Sequence, residues 1–561
     1  MEAFAALVNT LYYLNSSNAK AQVLIEYLEH TEDPERGWAI AAMAGTLSFE
    51  FFKRATIKNL ILEKVDAELF ALSYDYVGEL SETVAHLWST TQSSISTQQY
   101  LPALAEIIEQ FQALKKKQVP DYLSTLLDKM TSTQRWALLK LGTRGLRIGV
   151  SARALKKILA QFAQQHNQYI TVEDIEQVWH GVKPPYIDLF AWLEGNAAKP
   201  DITDQLTFQP VMLSQPFQTE LLNTIVPSQW CIEWKFDGIR AQLLINKCGV
   251  ALYSRTGDDI SESFPDLIER VKDSGIVGRF DGELISLNPG YTSTGDELIN
   301  YEGIASFNQL QQRLNKKKPS KRLLQQVPVG LILYDALEIN EQDLRSVGFE
   351  QRQKILSSAL THILKISNSS NESTSNNHCG LFISEQLPFT KVTQLTDYKE
   401  RATNMSNGYI EGVMLKFKSG TYVSGRPKGQ WYKLKRDPLV IDAVMMYAQR
   451  GHGKRSSFYS DYTFGCWSEG QLLPVGKAYS GFTDEELKKL DTWIRRNSIG
   501  RFGPVKEVKK ELVCELAFDA VNASNRHKSK VAMRFPRIKR IRWDKPANEA
   551  DTLENLAQLI R

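Results

Sequence analysis

The spacing of apolar residues changes once along this chain, near Asp201, and that change rules out one uniform fold for its 561 residues. Before it, apolar side chains recur at three- and four-residue intervals, the period of amphipathic helices. In SARALKKILAQF, Ser151 is placed to cap a helix whose Leu155, Ile158, Leu159 and Phe162 share one face. After Asp201 the apolar runs become short, alternating and punctuated by glycine: WCIEWKFDG, AQLLINKCG, VALYSRTGDD, RFDGELISL, VGLILYDAL and EGVMLKF. These read as strands, with helical stretches such as DLIERVKD between them. Beyond Asp437 a further set, PLVIDAVMMYA, DYTFGCWS, QLLPVGKAYS and ELVCELAFDAV, surrounds one helical segment, DEELKKLDTWIRRN. The fold class expected is therefore multidomain, α and α+β. An all-helical domain over 1–205 precedes a mixed α/β domain over 206–436 and a small β-barrel over 437–561, with an OB-fold as its candidate.

Composition bounds the function only loosely. A formal charge of +4 is small for this length, so any polyanionic partner must be recognised by local clusters of charge. Five cysteines, at 231, 248, 379, 466 and 514, form no Cys-x-x-Cys pair, which argues against a zinc ribbon or a disulfide framework and for a reducing compartment. The amino-terminal stretch has no secretory pattern, and no apolar run is long enough to cross a bilayer. We expect a protein that is neither exported nor membrane-spanning.

The chemistry concentrates in EWKFDGIR, residues 233–240. In an extended segment, period-two alternation turns Glu233, Lys235 and Asp237 to one face and Trp234 and Phe236 to the other. A lysine so placed has polar company, and Gly238 permits close approach of backbone or ligand. Downstream follow SRTGDD with Arg255, FDGELI with Asp281 and Glu283, LILYDAL with Tyr334, EGVMLK with Glu411 and Lys416, WYKLK with Lys433 and Lys435, and finally RFPRIKRIRWDK. In this order the series resembles the motif set of the covalent nucleotidyltransferases, which comprise DNA ligases, RNA ligases and mRNA capping enzymes.

The resemblance implies a role for each position. Lys235 would attack the α-phosphate of ATP to give lysyl-AMP, which requires its amine unprotonated; nearby cations, with Lys433, Lys435 and Arg426 as candidates, and a metal-bound nucleotide would favour that, and the cations would neutralise the phosphates. Glu283 and Glu411 would hold Mg2+, with Mn2+ as a substitute, and Glu283 would also meet the ribose. Tyr334 would stack on the purine and Glu233 read the adenine amino group, while Arg240 and Arg255 would engage ribose or the 5′-phosphate of a nick. Asp237 belongs to the site without a firm role.

Between Arg526 and Arg542 stand eight basic residues and no acid. Followed by Asp544 and Lys545, this run resembles the Arg-x-Asp-Lys signature on the mobile barrel of ligases. There Arg542 and Lys545 would orient the β,γ-phosphates of ATP before the barrel rotates onto DNA. Trp543 occupies a position where glutamate is common, and Tyr334 one where many relatives have phenylalanine. In the helical region, LGTRGLRIGVSARALKKILA resembles a minor-groove contact of archaeal and eukaryotic DNA ligases, with Gly145, Arg147 and Gly149 as DNA-binding candidates.

The combined expectation is an ATP-dependent DNA ligase sealing 5′-phosphate/3′-hydroxyl nicks in duplex DNA. It would be a monomer without a membrane, cytoplasmic and nucleoid-associated in a prokaryote or nuclear in a eukaryote, with all three domains encircling the duplex. An RNA ligase, a GTP-using capping enzyme or a catalytically silent nick-binding protein are the competing readings; the helical region disfavours the first two and the intact motifs the third. GHGKRSS at 451–457 fails P-loop spacing because Ala448 replaces the required glycine. KKKPSKR at 316–322 reads as a lysine-rich surface loop, and ISNSSNESTSNN at 366–377 as a mobile one.

Overall fold

The computed structural model describes residues 1–560 apart from 48–50, 78, 90–100, 203–204, 273, 292–298, 300, 315, 370–379, 406–408, 451–458, 480, 482, 503–504 and 525–526. Cys379, most of the Asn/Ser-rich segment and the P-loop lookalike thus lie outside the described residues. The chain divides into two compact units, 1–203 with 500–506, and 204–499 with 507–561.

Twelve helices are described between Glu2 and Leu193. Their apolar faces merge into one core, to which Glu2–Tyr13 gives Phe4, Leu7, Val8 and Leu11, and Ala152–Gln165 gives Leu155, Ile158, Leu159 and Phe162. The Ser151 hydroxyl accepts from the Ala154 amide at 3.2 Å, the N-cap its position suggests. The preceding helix, Ser132–Gly142, closes through Arg144, which has a left-handed φ of 54°, while the Gly145 amide donates to the Lys140 carbonyl. The left-handed position thus falls to Arg144 rather than to Gly145, and the sixth-to-first hydrogen bond has the Schellman pattern.

The second unit opens with two sheets. One orders Gln215–Pro216, Trp431–Lys435, Ile410–Phe417, Trp230–Phe236 and Gln386–Leu387; the other orders Gly249–Ser254, Ile239–Asn246, Gly278–Ser286, Val329–Ile339 and Gln342–Asp343, with Leu381–Ile383 parallel to Val329–Ile339. Alternation in Trp230–Phe236 resolves as the sequence suggests. Trp230, Ile232, Trp234 and Phe236 join an apolar core with Leu395, Tyr398 and Ala402 of the helix Gln394–Asn404, which leaves Glu233 and Lys235 to the opposite side. The helix Phe349–Ser369 takes in the first four residues of the segment read as a loop.

The remaining strands build a β-rich region around Leu439–Arg450. The first half of that strand pairs with Val513–Phe518 and the second with Tyr459–Ser468; Val444 has partners in both. Its core contains Ile441, Met445, Phe464, Val475, Leu516 and Phe518, together with Leu490 and Ile494 of the helix Asp484–Arg496. Thr483 starts that helix with a capping box to Glu486.

Candidate active site

Backbone register brings distant motifs together. Gly412 pairs with Lys235 on one side and Lys435 on the other, and Arg240 pairs with Glu283. Two glycines make these approaches possible. Gly412 has φ 147° and a Cβ there would sit 2.1 Å from the Leu434 carbonyl oxygen, while a Cβ on Gly238 would lie 2.4 Å from the Leu284 oxygen and 2.8 Å from Glu283 Cγ. The result is a cavity of about 460 Å³ lined from both sheets, into which Glu233, Lys235, Arg240, Glu283, Tyr334 and Lys433 project. Asp237, Arg255, Glu411, Lys416, Arg426 and Lys435 are also in the lining.

Lys235 Nζ stands 2.6 Å from Glu411 Oε2, and Lys435 Nζ reaches the same oxygen at 3.1 Å. Burial pushes the Lys235 amine down, but Glu411 and Glu283 outweigh it and hold its pKa above the ordinary lysine value. This differs from the lowered value that an attacking amine needs, because without nucleotide the Glu411 carboxylate stands in direct contact with the amine. Burial likewise raises Glu411, and Lys235 and Lys435 reverse the effect, bringing it to about 2. Glu283 is pushed up to about 7, by burial first and by its neighbour Glu411. Lys433 is lowered by burial and then by Lys435, Lys235, Arg426 and Arg255.

At the other end of the cavity Glu233 is fully enclosed. Its Oε2 accepts from Lys416 Nζ at 2.8 Å and from Ser384 Oγ at 3.1 Å, and its Oε1 from Gln386 Nε2 at 2.6 Å. Lys416 Nζ also donates to the Tyr334 carbonyl at 3.0 Å and lies 4.5 Å from the Tyr334 ring centroid and 4.7 Å from those of Phe349 and Trp431. The base-reading candidate and the stacking candidate are therefore tied through one lysine. Arg240 is committed as well: it donates to Asp281 at 2.7 Å and to the Met212 carbonyl at 2.5 Å, with Tyr422 donating to the same Asp281 oxygen.

The C-terminal β-rich region supplies a residue that sequence reasoning did not single out. Arg534 NH1 donates to Asp237 Oδ2 at 2.5 Å and lines the cavity, and Lys435 lies 3.5 Å from Asp519. Arg542 and Lys545 stand elsewhere, holding Asp442 at 3.1 and 2.8 Å, with Arg542 also on Asp544 at 2.8 Å. These three residues of the RWDK motif do not line the cavity in this arrangement. Arg534 was hidden in the basic run 526–542, where nothing in composition distinguishes it; Asp442 reads as one acid in an apolar strand.

Among the described residues no group of three or more His, Cys, Asp or Glu could enclose a metal. Glu283 and Glu411 fit a different kind of site, in which two carboxylates hold a hard cation whose remaining positions go to phosphate oxygens and water. In the helical unit, Arg147 is exposed, and Gly149 takes φ 69° beside Lys20, whose amine donates to the Ile148 carbonyl.

Residues 211–435 match the family described as ATP dependent DNA ligase domain, and 455–545 the ATP dependent DNA ligase C terminal region. A "Probable DNA ligase" of Koribacter versatilis is 28% identical over all of this chain and 96% of its own length. The DNA ligase of Archaeoglobus fulgidus is 28% identical over 59% of this chain, a match that spans 54% of that protein. Among solved structures, one described as Pmar-Lig_PreS3 superposes with a TM-score of 0.60 at 15% identity, covering 96% of this chain and 99% of the other.

Proposed function

The chain belongs to the ATP-dependent DNA ligase family, and from that premise we propose that it seals 5′-phosphate/3′-hydroxyl nicks in duplex DNA through a lysyl-AMP intermediate. The observation that carries this reading is the convergence of Lys235, Glu233, Glu283, Tyr334 and Lys433 on one cavity. Tyr334 and Glu233 take the adenine, the ring by stacking and the carboxylate by accepting from its amino group. Lys433, with the exposed Arg426 and Arg255, draws the triphosphate in. Lys235 gives up its proton, its nitrogen bonds to the α-phosphorus, and the bond to the β-phosphate oxygen breaks as pyrophosphate leaves. Mg2+ bound by Glu283 and Glu411 would neutralise phosphate charge, and in engaging Glu411 would loosen its hold on the lysine. AMP then passes to the 5′-phosphate of the nick, and the 3′-hydroxyl displaces it.

On this reading Asp237 and Arg534 hold the C-terminal region, which we take as an OB-fold, against the nucleotide domain while DNA is gripped. Arg542, Asp544 and Lys545 serve the first step from a different placement of that region. Gly145, Arg147 and Gly149 contact the DNA backbone without reading bases. We place the protein as a monomer acting on chromosomal DNA. Incubation with α-labelled ATP and magnesium, wild type beside Lys235→Ala, tests the reading. Acid-labile label on wild type alone, chased as nicked DNA is sealed, is the expected result. Label that seals only RNA would make it an RNA ligase, and absence of label would overturn the enzyme reading.

A further inference from the structure

On the C-terminal β-rich region a second concavity, about 860 Å³ and more open than the nucleotide cavity, shares no lining residue with that cavity. Its walls are the helix Asp484–Arg496 and the turn after the strand Arg537–Arg542, and they bring two tryptophans, Trp493 and Trp543, to one groove. Trp543 is 46% exposed, unusual for the largest aromatic side chain. The ion pair on this helix joins Arg495 to Asp491, and among the described residues Lys488, Lys489 and Arg496 line the groove without one. Glu485 is the single acid there.

We propose that this groove binds a single-stranded segment of nucleic acid, with Trp543 stacking on a base and Lys488, Lys489 and Arg496 on phosphates. Charge gives the class of partner: three cations against one carboxylate call for a polyanion. From Lys488 to Arg496 the helix advances about 12 Å, so the cations form a row along a strand rather than a pocket for one ion. The exposed indole separates single strand from duplex. A duplex hides its base faces in the stack, whereas an unpaired strand offers them to an aromatic platform, a contact that tolerates any sequence. The groove is distinct from the lysine cavity, so this inference stands or falls independently of the nick-sealing reading.

The test is fluorescence anisotropy of a short labelled oligothymidylate with the full chain, over a series of salt concentrations. Trp543→Ala is expected to weaken binding roughly tenfold, the loss of one stacked base. Lys488→Ala/Lys489→Ala/Arg496→Ala is expected to flatten the log–log salt dependence by about 2, since each phosphate contact on a single strand contributes about 0.7. Both variants are checked for a wild-type circular dichroism spectrum, and Glu485→Lys, which adds charge without removing packing, is expected to tighten binding. The proposal is overturned if wild type does not bind oligothymidylate, if affinity and salt slope survive all three changes, or if an acidic tryptophan-bearing peptide is the ligand whose binding the variants abolish while oligothymidylate binding persists. Lysyl-AMP formation, measured alongside, reports on the other site and does not decide this one.

Discussion

Lys235 and Glu411 form an ion pair at 2.6 Å between the nucleophile candidate and a metal-ligand candidate. The pair keeps the amine charged, so the nucleotide-free protein carries a lysine that is protected from reaction. Replacing Glu411 with glutamine removes the largest influence raising the lysine pKa and leaves only Glu283 and Asp237 to oppose burial. At pH 8, Glu411→Gln is therefore expected to speed acylation of Lys235 by an amine-selective reagent by roughly tenfold or more, read by mass spectrometry of the Lys235 peptide. The same variant is expected to lose strand sealing, because the carboxylate it removes is also the proposed ligand of Mg2+. Unchanged acylation would mean that Glu411 does not control the lysine.

Glu283 gives a pH dependence of the opposite kind from that of an ordinary ion-paired acid. Its folded pKa of about 7 lies above the unfolded value, so the folded protein holds the proton more tightly. Between the unfolded pKa and 7 the unfolded chain is ionised while the folded one is not, and stability falls as pH rises through that window. The cost is absent below about 4.5 and complete above 7, up to about 3 kcal/mol. Glu283→Gln is thus expected to raise the thermal midpoint at pH 8 relative to wild type and to leave it little changed at pH 5. Magnesium binding needs the ionised form, so calorimetry of wild type should show it weakening tenfold per unit as pH falls below 7, with proton release on binding. A flat magnesium affinity from pH 6 to 8 would remove Glu283 from the metal site.

Much of this was legible in the sequence because it rests on local alternation. The period of two in WCIEWKF separates Trp234 and Phe236 from Glu233 and Lys235 without reference to anything distant, and the structure places them so. Residues whose role depends on a far partner could not be read. Lys416 looks like the polar end of an apolar strand until Glu233 arrives from 183 residues away. Asp442 is met by Arg542 and Lys545 from 100 and 103 positions along. The charge state of Lys235 in the nucleotide-free protein could not be read for the same reason: motif order supplies the list of neighbours but not the 2.6 Å that sets Glu411 against the amine. The helix running to Ser369 extends where a polar composition suggested a loop, since Asn and Ser weaken a helix without terminating one.

Arg534 and Asp237 join two parts of the second unit at 2.5 Å, and both are largely shielded from water. Burial pushes the Asp237 carboxyl above the ordinary aspartate value, and Arg534 draws it part of the way back. Removing Arg534 leaves a shielded carboxylate without its cation, a costlier state than losing both charges. If the contact secures the C-terminal region for the DNA steps, Arg534→Ala should slow sealing of a pre-adenylated nick about tenfold to a hundredfold, equivalent to about 1–3 kcal/mol, and slow lysyl-AMP formation much less. Asp237→Asn should cost less in the Arg534→Ala background than in wild type. Single-turnover assays of the two steps on the four proteins of the cycle measure the coupling. Strict additivity, or an equal loss in both steps, would show that the pair does not act as a clasp for the DNA-bound arrangement.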